Sequence, residues 1–144
     1  MSKRSQIVQA LVTKLKEIDG NPPYTSNLFT NVENKLVFWD EVSDYPYVYL
    51  NTGPETRDYL PGGFKWANLI IYIRVYVEKE NPEIELEKIF EDIETIVDNT
   101  GNLEYSAGNY TEDIKILSIN TDEGLLAPKG IGEITLQITY DLQS

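Results

Sequence analysis

The chain predicts an α+β fold with a mostly antiparallel or mixed sheet and two helices packed on one of its faces. Two observations carry that expectation. The stretch Phe64–Glu80 alternates with a period of two, and two separate segments show apolar residues at helical spacing. In the long stretch, Leu69, Ile71, Ile73, Val75 and Val77 form one row, while Ile70, Tyr72, Arg74 and Tyr76 form the other. The first row is purely aliphatic and predicts a core face. The second is aromatic with an Arg in its middle, which suits a surface that meets another protein.

Taken in order, residues 5–18 place Ile7, Val8, Leu11, Val12, Leu15 and Ile18 on one helical face, and Gly20, Pro22 and Pro23 are expected to end that helix. Residues 24–30 read as loop, and 31–39 as a short strand at most. Residues 46–51 predict a strand with Val48 and Leu50 opposite Tyr47 and Tyr49. Thr52–Gly63, punctuated by prolines and glycines, predicts a mobile hairpin loop with its tip at Pro61-Gly62-Gly63. Asn81-Pro82 opens the second helix, with Glu83, Glu85 and Glu87 near its positive end and a stripe of Leu86, Ile89, Phe90, Ile93, Ile96 and Val97. Residues 102–113 read as loop, 114–120 and 130–142 as strands. The order is α-β-β-β-α-β-β, without an internal repeat or linker, so residues 1–144 are expected to form a single domain.

Composition narrows the function. The formal charge of −12 disfavours a nucleic-acid reader. With no Cys and no His, disulfides, thiol chemistry, the commonest zinc ligands and the usual general base are all missing. No run approaches the roughly 18 apolar residues of a membrane span. Carboxylate pairs such as Glu91 with Asp92, or Asp122 with Glu123, could serve an acid–base enzyme, but 24 acidic residues make adjacent pairs inevitable, and a solvated surface is the expectation. Asn120–Gly124 lacks the following Glu of a calcium loop and predicts a turn, and Gly130-x-Gly132 precedes a strand, so it is no dinucleotide loop. No catalytic, cofactor or metal residue is therefore expected.

Ten tyrosines remain as a signal, several of them on one sheet region: Tyr45, Tyr47, Tyr49, Tyr72 and Tyr76. They suit either a partner surface or a second core layer beneath a helix.

Gly20-Asn21-Pro22-Pro23-Tyr24 after the first helix, Tyr45–Leu50, and the ending Asn120–Gly124, Ala127–Gly130 and Ile138-Thr139-Tyr140 together resemble the tail terminators of long-tailed bacteriophages, the lambda U-like group. The resemblance extends over nearly the whole chain. It implies a virion protein, assembled in the host cytoplasm, that forms a hexameric ring at the head-proximal end of the tail. Its partners would be the tail tube protein and a head–tail connector or neck protein, with DNA passing through unrecognised and no membrane involved. On that basis Tyr47, Tyr49, Arg57, Tyr59, Phe64, Trp66, Tyr72, Arg74 and Tyr76 are the candidate contacts between subunits or with partners. Another neck or head-completion protein, or a small carboxylate-dependent enzyme, are the alternatives.

Overall fold

A computed structural model describes residues 2–142. Helix α1 (Lys3–Leu15) is followed by β1 (Val32–Glu33), a short 3-10 turn (Trp39–Glu41), β2 (Tyr47–Tyr59), β3 (Lys65–Glu78), α2 (Pro82–Thr100), β4 (Glu104–Ser106), β5 (Asn109–Tyr110), β6 (Asp113–Thr121) and β7 (Lys129–Asp141). The main sheet runs β1-β2-β3-β7-β6, and β4-β5 form a separate ribbon. Every pairing is antiparallel except β1 with β2. The α+β class and the order of the elements are as predicted.

Both helices cover the aliphatic row. Leu69, Ile71, Ile73, Val75 and Val77 are buried with Ile134, Leu136 and Ile138 of β7 against the stripes of α1 and α2. Strand β7 alternates without a break between buried and half-buried residues, as a one-sided strand should. Its two glycines have a packing role. A Cβ at Gly130 would press on Pro82 and Val77, and one at Gly132 would collide with the Phe90 ring, so these positions let α2 lie close on the sheet.

Four expectations need correction. Helix α1 stops at Leu15 with Lys16 as its cap, before Gly20, because the backbone N–H groups of Glu17 and Ile18 turn back to the carbonyls of Lys14 and Leu15. Gly20 has a φ of +85° but belongs to the next turn. Strand β2 does not stop at residue 51. It continues to Tyr59 through a register shift between Thr52 and Glu55. A bulge there absorbs Pro54, which cannot donate to a ladder, and Gly53 lies on the Tyr72 ring where a Cβ would not fit. Only the tip is a turn, with Leu60 N–H donating to the Phe64 carbonyl at 2.8 Å. Finally, 102–113 is not a plain loop. The β4-β5 ribbon buries Leu103 and Thr111, and Tyr105 meets Tyr140 edge-on at 6.5 Å.

Candidate interaction surface

The helix-free face of the sheet collects the second row of β3 and its neighbours. Tyr49, Arg74 and Glu133 stand abreast on β2, β3 and β7. The Arg74 guanidinium is paired with the Glu133 carboxylate and lies 6.0 Å from the centre of the Tyr49 ring. Burial alone would pull Arg74 down, but the hydrogen bond and charge of Glu133, with Tyr49 and Tyr76, hold it above its ordinary value. The partner of Arg74 within the chain is thus a carboxylate on the neighbouring strand of the same sheet.

Tyr49 and Tyr76 pack ring to ring at 5.8 Å, and each is only 3% exposed. The cover is the chain itself. Residues 34–46 cross this end of the face: the Tyr76 hydroxyl donates to the Val37 carbonyl at 2.6 Å, and Lys129 sits 5.2 Å above the Trp39 ring. Burial raises the Tyr76 phenol well above its usual range. Burial first, and then the Glu33 carboxylate, push Tyr47 up to about 12. Tyr47 itself stays half-buried. Of the two readings left open for these tyrosines, a partner surface or a second buried layer, Tyr49 and Tyr76 fit the buried one in the isolated chain.

Trp66 and Tyr72 lie half-buried further down the face, while Arg57, Tyr59 and Phe64 are exposed at the hairpin tip. Tyr59 is 66% exposed, Leu60 and Phe64 flank it in the open, and Lys65 approaches its ring at 5.9 Å. Arg57 Nε donates to Glu55 at 2.8 Å, and Glu55 also accepts from the Tyr140 hydroxyl. The tip therefore presents aromatic surface with basic side chains beside it, in an otherwise acidic molecule. At the opposite end of the sheet Phe29, Leu36 and Phe38 are exposed. The nine candidates accordingly fall into an enclosed group, a half-buried group and an exposed tip, and no single patch contains them all.

The carboxylate pairs do not converge. Asp122 accepts from the backbone N–H of Leu126 at 3.1 Å and of Ile131 at 3.2 Å, which makes it the organiser of a turn. Among the described residues no cluster of three or more acidic side chains could hold a metal. Asp92 departs from the solvated-surface expectation. It is 1% exposed and accepts from the N–H of Thr25 at 3.0 Å, the N–H of Ser26 at 2.8 Å and the Ser26 hydroxyl. These bonds pin the 24–28 segment to α2, a role that adjacency of two acids in sequence could not reveal.

The full length, residues 1–144, matches the family described as Bacteriophage Tail Tube Terminator Protein. The chain belongs to the bacteriophage tail tube terminator family. The tail tube terminator protein of Escherichia phage T5 is 40% identical over 97% of this chain and 94% of its own. A chain in the virion of a native gene transfer agent particle shares the fold, with a TM-score of 0.65 over 93% of this chain and 94% of that one, at 13% identity. The resemblance drawn from Gly20–Tyr24, Tyr45–Leu50 and the ending is thus a family relationship, and the expected tail-terminating structural protein stands with it. In that fold, no helix among the described residues is long and apolar enough to cross a membrane.

Proposed function

We propose that this tail terminator forms a hexameric ring on the head-proximal end of the tail tube, stops tube polymerisation and offers its other end to a neck or connector protein. Full-length similarity to a protein named as a tail tube terminator is the observation that carries this reading. The shape of the sheet supports it. Exposed large apolar side chains sit at both ends, with Tyr59, Leu60 and Phe64 at the hairpin tip and Phe29, Leu36 and Phe38 at the other. Two apolar ends on one rigid sheet suit a part that joins two different assemblies. Between them, the helix-free face carries Asn68, Thr135, Gln137 and Thr139 with the paired Asp113 and Lys115 beside them, a polar strip without a basic cluster that would grip DNA.

On this reading the protein has no turnover and its place is the virion tail, following assembly in the host cytoplasm. Purified chain added to growing tail tubes tests it by negative-stain imaging. The expected result is a ring at one end of each tube and an arrest of lengthening. Tubes that grow past saturating protein, or binding to portal rings alone, would reassign it to another neck component.

A further inference from the structure

Both edges of the main sheet are open, and they complement each other. On one side β6 has no neighbour beyond it among the described residues, since the order ends β7-β6. On the other, β1 covers only Val48 and Tyr49 of β2, which leaves the strand uncovered from residue 51 to 59. Open edges present unpaired N–H and C=O groups and template pairing with another strand, and natural proteins commonly blunt them with charge, proline or a bulge, as Pro54 and the register shift after Thr52 do over part of β2. Strand β6 is blunted little. Its only charges are Asp113 and Lys115, which pair with each other at 3.5 Å, while Leu117 is 51% and Ile119 37% exposed.

We infer that β6 of one copy pairs antiparallel with the 51–59 run of β2 of the next, so that the sheet continues from subunit to subunit. Strand direction permits this without inverting a copy. Strands β2 and β7 run one way and β3 and β6 the other, so the next copy's β2 meets β6 in the antiparallel sense. Height along the sheet overlaps over residues 51–56 of the open run, because Asp113 and Thr121 stand level through β7 and β3 with Thr56 and Val48. The contact joins different surfaces of identical copies, and such a contact closes into a ring when its rotation closes. Charge points the same way. The facing strands carry few charges of either sign, Asp113 and Lys115 on β6 and Glu55, Arg57 and Asp58 on β2, so copies of a chain with charge −12 meet there with little repulsion.

This inference rests on the ring proposed above, and the absence of native Cys makes it testable by crosslinking. Double variants would combine Leu117→Cys or Ser118→Cys with Thr52→Cys or Thr56→Cys and be oxidised with and without tail tubes. Three strand spacings, about 14 Å, separate the two edges within one subunit, beyond the roughly 7 Å limit for a disulfide, so bonds would form only between copies. At least one pair should give a ladder of covalent oligomers on a non-reducing gel. Single variants should stop at dimers, and a Thr13→Cys/Lys88→Cys control on the helices should give no ladder. As a second measurement, Leu117→Lys with Ile119→Lys should keep the parent's circular dichroism yet fail to assemble by light scattering.

Rings that form with none of the four pairs crosslinking, or a doubly charged edge that assembles like the parent, would overturn the inference. So would a parent chain that stays monomeric both alone and at tubes. A ladder without capping of tubes would remove the terminator role and leave the edge contact standing, and capping without a ladder would do the reverse.

Discussion

The two faces of β3 are shielded from water by different physics and to different extents. Under the helices, Leu69, Ile71, Ile73, Val75 and Val77 lose contact with water by apolar packing alone. On the opposite face, Tyr76 is closed by a ring partner, a hydrogen bond to Val37 and the crossing of residues 34–46, and Arg74 by Glu133 and Tyr49. The first solution is dense and insensitive to pH. The second uses directional groups, covers one end of the face only, and leaves the rest of it for contacts with other molecules. An aromatic row in a sequence therefore does not by itself mark an interface, because the chain can supply its own cover, as residues 34–46 do here.

The difference between the faces can be broken most strongly from the helix side. Ile73→Ala should lower unfolding free energy by about 2–5 kcal/mol, since it removes buried methylenes and leaves a cavity. Thr135→Ala on the opposite face should fall within about 0.5 kcal/mol of the parent. Urea denaturation of both variants checks this, and equal losses would mean that the two faces are not distinct.

The helix side has one polar exception, which provides the next largest effect. Asp92→Ala leaves the N–H groups of Thr25 and Ser26 without their acceptor. A loss of about 1.5–3 kcal/mol is expected, the range for hydrogen bonds to a charged group. Amide exchange at residues 25 and 26 should quicken in the same variant while exchange in β3 changes far less.

On the other face, Arg74→Met removes a part-exposed ion pair, and about 1 kcal/mol or less should follow in the melt of the isolated chain. Arg74→Glu should cost more, because it sets a second carboxylate beside Glu133. If instead Arg74→Glu leaves the isolated chain as stable as the parent and abolishes capping, the main partner of Arg74 lies on another subunit.

The smallest effect separates the faces by pH. Tyr47 has a folded pKa of about 12 against an ordinary value of 10.0, so the folded chain holds a proton that the unfolded chain releases first. Its contribution is complete below pH 10 and is lost as pH rises toward 12. Tyr47→Phe should flatten the alkaline end of the stability profile. A parent and variant with parallel profiles from pH 9 to 12 would show that Tyr47 titrates alike in both states.

What the residues determined unaided was whatever depends on near neighbours in the chain. The alternation of β3 and β7, the Pro82 start of α2 and its stripe, and the turn at Pro61-Gly62-Gly63 all lie where local pattern predicts them, because periodicity and backbone preference act within a few residues. Tertiary structure alone decided matters that depend on distant segments. Strand β2 runs through Gly53-Pro54 because β3 holds it on both sides of a bulge. The β4-β5 ribbon exists because Leu103 and Tyr105 find the core, and Asp92 is buried because residues 25 and 26 arrive with donors. The same holds for the candidate contacts. Exposure at Tyr59 and Phe64 follows from their position at a hairpin tip, whereas Tyr49 and Tyr76 are enclosed by a segment with no regular pattern. Burial belongs to a residue together with whatever lands on it, and a single strand's sequence does not record its neighbours.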